Sequence, residues 1–142
     1  MNYNEIITQS ILLVDFGLVI LIWMVQLIIY PSFVYYTKEN LFTWHQKYTN
    51  RIAIIVVPLM LAQLVLAIFA VFYQPNFAPI FTLLIVLFLW IFTFFGFAPL
   101  HFKISEGKHN HKLLQLLIQR NWIRTFLWSI LFIFHLLMHI FY

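Results

Sequence analysis

Long apolar runs alternate with short polar segments along this chain. The four runs cover about residues 11–34, 52–73, 80–99 and 121–142. A helix of about 20 apolar residues crosses the hydrocarbon core of a bilayer, so each run is long enough to be a membrane span. The pattern therefore predicts an all-α, polytopic membrane protein, in which four transmembrane helices form a bundle and a single domain over residues 1–142.

The ends of the runs carry residues that begin or end helices. Tyr30 and Pro31 close the first run with an interfacial aromatic ring and a helix breaker. Asn40 is a candidate N-cap for an amphipathic helix that leads into the second run. Pro58 is expected to kink that run, and a turn is predicted at residues 74–76.

The composition excludes an ordinary soluble domain, because 64% of the residues are hydrophobic and only 8% are charged. Soluble domains are roughly half apolar and about a quarter charged. The lipid bilayer is therefore the predicted partner, and the 17 Phe residues are expected to face it. The chain contains no Cys, which excludes disulfides, thiolate metal sites and a Cys nucleophile. No nucleic-acid partner is expected, because the position of the basic residues explains the net charge of +4.

The basic residues lie on one predicted side of the membrane. All eight Lys and Arg fall within residues 35–51 and 100–124. By the positive-inside rule, connections 35–51 and 100–120 are cytoplasmic and both termini face outward. The start of the chain carries Glu5 but lacks the basic region of a cleavable signal peptide. The predicted location is the bacterial inner membrane, which the chain crosses several times.

Helical periodicity places polar or small residues on one face of each run. These faces are expected to turn inward, because an unpartnered polar group in hydrocarbon costs several kcal/mol. Two polar clusters follow from this arrangement. The cytoplasmic cluster contains Tyr30, Trp44, His45, Tyr48, Arg51, Thr93, His101, Asn121 and Arg124. The outer cluster contains Asp15, His135 and His139.

Arg124 is the candidate anchor of a substrate in the cytoplasmic cluster. A guanidinium that enters a span costs up to a few kcal/mol, so a partner is expected. With Asn121 beside it, Arg124 would donate hydrogen bonds to a substrate oxygen in a pocket of low dielectric constant. The alternative interpretation is that Arg124 reaches out to cytoplasmic headgroups. The other candidate substrate contacts are Tyr30, Trp44, Tyr48, Gln63, Trp122 and Thr125.

Histidines supply the remaining candidate chemistry. His45 and His101 are candidate general bases, because imidazole titrates near working pH, and the alternative is that they are interfacial anchors. His135 and His139 lie at i, i+4 on one helical face, which is a spacing of metal ligands, and Asp15 lies at a similar depth. These three groups would bind a metal or pass protons. The alternative is a hydrogen bond that joins the first helix to the last.

The order of these features resembles a family of small four-span bacterial membrane proteins related to anthrone oxygenases. Its members show a Pro closing the first span, a polar helix leading into the second, a Pro-Leu ending the third and a Trp-x-Arg-Thr-like element opening the fourth. The corresponding residues are Tyr30-Pro31, Trp44-His45, Pro99-Leu100-His101 and Asn121-Trp122-Ile123-Arg124-Thr125. The resemblance implies oxidation of a small apolar aromatic or polyketide-like substrate by oxygen, with no metal or flavin required.

Residues 23–36 are similar to the first span of the membrane protoporphyrinogen oxidase family, a histidine-dependent bundle that binds haem. The histidine expected in that span is absent, and Asp15 and Gln26 are the polar residues of the run. Two classes of function remain open. One is an oxidoreductase, either a cofactor-independent oxygenase or a haem-linked enzyme, acting on an apolar molecule in a cytoplasm-facing pocket. The other is a non-enzymatic protein that binds haem, a lipid or a partner helix, and assembly into a homo-oligomer is also open.

Overall fold

The computed structural model describes residues 3–141, and the side chains of residues 5–141, and every regular element among them is helical. Four helices are long and apolar enough to cross a membrane, which confirms the prediction of an all-α protein with four candidate spans. The last residue of the predicted fourth run, Tyr142, lies outside the described residues. The first to fourth spans are Glu5–Tyr35, Lys38–Tyr73, Phe77–Ser105 and His111–Phe141.

Two of the spans are continuous α-helices and two contain a π-helical turn. The second and fourth spans are uninterrupted over Lys38–Tyr73 and His111–Phe141. The first is built from an α-helix (Tyr3–Met24), a π-turn (Val25–Ile29), a short α-helical piece (Tyr30–Ser32) and a 3₁₀ turn (Phe33–Tyr35). The third is built from an α-helix (Phe77–Phe92), a π-turn (Thr93–Phe97) and an α-helix (Ala98–Ser105).

Each π-turn ends two residues before a proline, which explains why neither proline ends its helix. The N–H of Tyr30 donates to the carbonyl of Val25, five residues back, and Pro31 follows. Proline has no N–H and would crowd the carbonyl four residues back in an α-helix, and the wider turn relieves both constraints. The expectation that Pro31 breaks the first helix was therefore wrong. The N–H of Ala98 bonds to the carbonyl of Thr93 before Pro99 in the same way.

The helices are also longer than the apolar runs on the side of the polar connections. The second helix begins at Lys38, so most of the predicted connection 35–51 is helical. Its N-cap is Thr37, whose hydroxyl accepts the N–H of Asn40 at 3.3 Å, so the assignment of Asn40 as the cap was wrong. The third helix ends at Ser105, before a turn in which Gly107 adopts a φ of +70°.

Short connections at residues 36–37, 74–76 and 106–110 make neighbouring spans antiparallel. We call the end of the bundle that carries connections 36–37 and 106–110 the loop side, and the opposite end the terminal side. The first span packs against the second and the fourth, and the second packs against the third. Leu18, Ile22 and Trp128 are fully buried at the centre, whereas many Ile, Leu and Phe side chains are exposed outward, as expected for contact with lipid.

Candidate functional site

Arg124 points into the bundle rather than out of it. Its side chain is only 6% exposed, and its guanidinium carbon lies 4.5 Å from the ring centroid of Phe97 and 5.2 Å from that of Trp128. Its Nε has no hydrogen-bond partner among the described residues. The guanidinium interacts with the hydroxyl of Tyr30, which also interacts with the hydroxyl of Tyr48. The geometry therefore excludes the alternative in which Arg124 reaches out to headgroups.

The described residues form two salt bridges, and neither of them provides a carboxylate partner for Arg124. Those two pairs are Lys108 with Glu106 and His135 with Asp15. Contacts with aromatic faces stabilise a buried cation by about 0.5–2 kcal/mol, which is less than the cost of removing it from water. An anionic or carbonyl oxygen of a ligand would supply the missing partner.

A cavity of about 270 Å³ lies beside the guanidinium. This volume is near the lower end of the roughly 300–1,000 Å³ that small-molecule sites occupy. Most of the lining is apolar, and the polar side chains in it are Tyr30, Tyr48, Thr49, Thr93, His101 and Arg124. Val57 and Phe94 line the cavity and are also 45% and 57% exposed on the outer surface. The mouth of the cavity therefore lies between the second and third spans, where lipid would be.

Both π-turns contribute to the walls of this cavity. Val25 lines it from the first turn, and Thr93 and Phe97 line it from the second. The second turn is held from outside by Arg120, whose Nη1 donates to the carbonyl of Gly96 at 3.0 Å. π-turns are rare in helices and are frequent at functional sites, because the extra residue redirects the side chains that follow it.

A chain of hydrogen bonds leads from the cavity toward the loop side. The Tyr30 hydroxyl lies 3.0 Å from Nε2 of His101, and Nδ1 of His101 lies 2.8 Å from Nε2 of His45. Nδ1 of His45 lies 3.0 Å from Oγ of Ser105. The two imidazole rings are stacked with centroids 5.0 Å apart. The structure thus brings both candidate general bases together, with His101 on the cavity wall and His45 fully buried behind it.

All four ring nitrogens of His45 and His101 are engaged in this chain. A haem iron needs a free imidazole nitrogen, and two axial histidines must lie on opposite faces of the macrocycle. His45 and His101 are bonded to each other instead. The observed arrangement therefore does not fit haem ligation by this pair.

His109 lies in the connection between the third and fourth spans, close to the end of the hydrogen-bond chain at Ser105. Its side chain is buried and its Nδ1 has no partner among the described residues. Burial lowers the pKa of His109, and the positive charge of Lys38 lowers it further, while an interaction with the backbone of Ile104 opposes both. His109 is near enough to His45 for their charges to interact.

The remaining predicted substrate contacts lie beside the cavity or away from it. Asn121 is buried and donates from Nδ2 to Oε1 of Gln26 at 2.9 Å, and its own Oδ1 has no partner in the part of the chain that the structure describes. The hydroxyl of Thr125 donates to the carbonyl of Asn121 at 3.0 Å. Trp122 packs edge-on against Trp23, with ring centroids 5.7 Å apart. Trp44 and Arg51 are exposed on the outside of the second span.

A second polar cluster lies nearer the terminal side, and Gln63 belongs to it rather than to the cavity. The Nε2 of Gln63 donates to Oδ1 of Asp15 at 2.6 Å, and Oδ2 of Asp15 lies 2.5 Å from Nδ1 of His135. The hydroxyl of Thr82 lies 2.8 Å from Nε2 of His135, and Nε1 of Trp128 donates to Oε1 of Gln63 at 3.1 Å. All four spans are therefore joined by one network of buried and partly buried hydrogen bonds.

The proposed metal ligands are not brought together as a set. His139 is exposed on the outer surface, whereas Asp15 and His135 are bonded to each other. Within residues 3–141 no group of three or more His, Cys, Asp or Glu side chains is placed to hold a metal ion. The alternative interpretation, a hydrogen bond joining the first span to the fourth, describes the observed contact.

Sequence reasoning missed three residues of the loop-side site. Ser105 lies four residues after His101. This spacing would have placed both on one helix face if the third helix had been extended beyond Pro99. Gln26 was noted as polar but was not matched with Asn121. Phe97, whose ring lies against the guanidinium of Arg124, carries no distinguishing signal in a run of Phe residues.

Comparison of the chain with models of protein families, with curated proteins and with solved structures finds no match.

Proposed function

We propose that this multi-pass membrane protein is an oxidoreductase that binds a small apolar aromatic molecule beside Arg124 and oxidises it with dioxygen. The single observation that carries the proposal is the buried guanidinium of Arg124, which faces a cavity and has no carboxylate partner among the described residues. The resemblance to anthrone oxygenases supplies the reaction type.

The charge of Arg124 selects the part of the ligand that binds deepest. A guanidinium in an apolar pocket favours a phenolate, enolate or carbonyl oxygen, because a charge-assisted hydrogen bond there is roughly twice as strong as a neutral one. The apolar remainder of the lining favours a hydrocarbon or aromatic body. These preferences fit an aromatic compound with one ionisable oxygen.

The ligand is proposed to reach the cavity from the bilayer. Val57 and Phe94 at the mouth are apolar and exposed on the surface that faces lipid. In the proposed orientation, the loop side with all eight Lys and Arg lies in the cytoplasm of a bacterium and both termini lie outside. The cavity then opens toward lipid, nearer to the cytoplasmic face.

The proposed chemistry begins with removal of a proton from the ligand. The hydroxyl of Tyr30 takes this proton as it passes its own to His101, which is the base, while Arg124 stabilises the negative charge that develops on the ligand oxygen. The resulting anion is electron-rich and reacts with dioxygen. For a methylene between two aromatic rings, one dioxygen is consumed, the carbon becomes a ketone and one water is formed.

The experiment uses the protein in lipid nanodiscs with an anthrone dissolved in the lipid. Oxygen uptake and the absorbance of the quinone product are followed together. We expect Arg124→Leu to abolish turnover, because the anion loses its counter-charge. Arg51→Leu, which removes an exposed arginine from the second span, should leave the rate unchanged. A folded Arg124→Leu protein with the wild-type rate would contradict the proposal.

His101→Gln separates binding from proton removal. Glutamine keeps a polar side chain on the cavity wall but cannot act as a base near neutral pH. We expect kcat to fall by about 10²–10⁴-fold, the usual contribution of a general base, with a small change in KM. An unchanged kcat would remove His101 from the mechanism and leave the ligand-binding role of Arg124 standing.

The runner-up function is binding without chemistry. The same guanidinium would hold a lipid phosphate or carboxylate that enters through the lipid-facing mouth. Lipid that co-purifies with the wild-type protein, is lost in Arg124→Leu and is accompanied by no oxygen uptake with an anthrone would favour this reading.

A further inference from the structure

We propose that the four groups Tyr30, His101, His45 and Ser105 form a proton path from the cavity to the loop side. The inference rests on the proposed function, because it takes the ligand at Arg124 to be an acidic O–H compound. It adds the route by which the ligand's proton leaves the membrane-embedded site.

The two ends of the chain lie in different surroundings. Tyr30 and His101 line the cavity beside Arg124, and His45 is fully buried behind them. Ser105 is half-buried and is the last residue of the third helix, next to the connection at residues 106–110. A proton that moves from one end to the other therefore passes through the packed interior without crossing an apolar gap.

A count of donors and acceptors shows that these hydrogen bonds can run in either direction. A neutral histidine has one N–H and one acceptor nitrogen, and a hydroxyl donates once and also accepts. In one arrangement Tyr30 donates to Nε2 of His101, Nδ1–H of His101 donates to Nε2 of His45, and Nδ1–H of His45 donates to Ser105. Reversing all three donations satisfies the same distances of 3.0, 2.8 and 3.0 Å. A change of direction therefore needs no movement of heavy atoms.

A transfer along the chain is balanced in atoms and charge. The ligand gives its O–H proton to the Tyr30 oxygen as Tyr30 gives its own proton to Nε2 of His101. His101 passes its Nδ1 proton to His45, and His45 passes its Nδ1 proton to the Ser105 oxygen. The original hydroxyl proton of Ser105 goes to water. The electron pair of the broken O–H bond stays on the ligand oxygen beside Arg124, and no oxidant takes part.

A buried histidine lies near the exit. Burial and the positive charge of Lys38 both lower the pKa of His109, which disfavours a positive charge on this side chain. Asp15 and His135 are bonded to each other in the terminal-side cluster and take no part in the path.

The test uses 2-naphthol, a lipid-soluble phenol whose neutral and anionic forms differ in absorbance. Wild-type protein in nanodiscs is mixed rapidly with it in weak buffer that contains a water-soluble pH indicator. We expect naphtholate to form and about one proton to appear in water per naphtholate bound. In His45→Gln the amount of naphtholate at equilibrium should change less than about twofold, whereas the proton should appear at least about tenfold more slowly.

Two further variants keep the test decisive if His45→Gln does not fold. Ser105→Ala leaves both histidines in place and should slow proton release in the same way. His45→Ala should regain rapid release when imidazole is added, which a merely structural defect would not. Thr43→Ala is the control, because Thr43 is exposed on the second span and its hydroxyl donates to the carbonyl of Glu39 one helical turn earlier.

The outcomes separate the path from the proposed function. Proton release from His45→Gln and Ser105→Ala at the wild-type rate overturns the path and leaves the ligand site intact. Naphtholate formation in the wild type without proton release also overturns it. If folded wild-type protein binds no naphtholate, the ligand site at Arg124 fails first, and the path fails with it.

Discussion

Single residues in this bundle show two ways of placing a charge within a membrane. Asp15 is fully buried and accepts hydrogen bonds from Gln63 and from His135, each on another span. Arg124 is held by two aromatic rings and a tyrosine hydroxyl, and neither salt bridge of the described residues includes it. The carboxylate of Asp15 therefore has its partners within the protein. The guanidinium of Arg124 can still donate hydrogen bonds to a ligand, which is why we propose the site beside Arg124.

The lowered pKa of His109 predicts how the stability of the protein depends on pH. The folded protein binds a proton at His109 less readily than the unfolded chain does. Stability that depends on neutral His109 is therefore present above the usual histidine pKa of about 6.5 and is lost as pH falls from there through the lowered value. We expect the melting temperature of His109→Gln to fall less than that of the wild type between about pH 7 and 5.

The control for this measurement is His111→Gln, because His111 is exposed on the next helix. That variant should follow the wild-type curve over the whole range. Parallel curves for wild type and His109→Gln would show that protonation of His109 does not oppose folding.

At the scale of elements, the two π-turns decide which way the loop-side halves of the first and third spans face. The turn at Val25–Ile29 precedes Tyr30, and the turn at Thr93–Phe97 precedes His101. One extra residue in a helix rotates everything after it by about 100° relative to a regular α-helix. The hydrogen bond between Tyr30 and His101 therefore depends on both turns being present.

Deleting Phe95 should remove the extra residue of the second π-turn and leave Pro99 to kink the third span. Phe95 is 79% exposed, so its side chain contributes little packing. We expect the deletion to turn His101 away from Tyr30 and His45 and to abolish oxygen uptake, while most of the protein remains helical and inserted. Circular dichroism and the oxygen electrode measure the two effects.

Phe95→Ala is the matched control, because it removes the same side chain and keeps the turn. It should retain most of the activity. A deletion variant as active as Phe95→Ala would mean that the π-turn does not set the position of His101.

The sequence could not reveal these turns, because the apolar pattern continues through them. Periodicity correctly placed Asp15, Asn121 and Arg124 on inward faces, since a face follows from spacing within one helix. It made Gln63 a contact of the substrate, whereas Gln63 lies in the terminal-side cluster, because the height at which two helices meet is set by packing between them. Pro31 and Pro99 were misread because the wider turns that let the helices continue through them leave no mark in the apolar pattern.

For the whole molecule, the terminal-side network ties the four spans together while the loop side surrounds a cavity. Asp15, Gln63, Thr82 and His135 come from the first, second, third and fourth spans respectively. Hydrogen bonds between spans contribute about 0.6 kcal/mol each on average in membranes, so their joint effect is mainly to fix how the helices are aligned.

The proposed orientation of the whole molecule can be tested with engineered cysteines, since the chain has none of its own. Lys108 lies in the loop-side connection, and Gln74 lies in the terminal-side turn. We expect Gln74→Cys to react with a membrane-impermeant maleimide added outside intact bacterial cells, and Lys108→Cys to react only after the cells are opened. The reverse pattern would show that the protein has the opposite orientation, with the proton exit outside the cell.

The position of the cavity mouth has a consequence for how binding is measured. In the proposed route of entry between the second and third spans, a compound is dissolved in lipid before it meets Arg124, because Val57 and Phe94 line the mouth and are exposed on the outer surface. Occupancy then follows the mole fraction of the compound in the membrane and not its amount per litre of buffer. If empty vesicles are added while the total amount of compound is kept constant, its mole fraction in the membrane falls. The apparent affinity then decreases although the site is unchanged. Two compounds with equal contacts would differ in potency by the ratio of their partition coefficients.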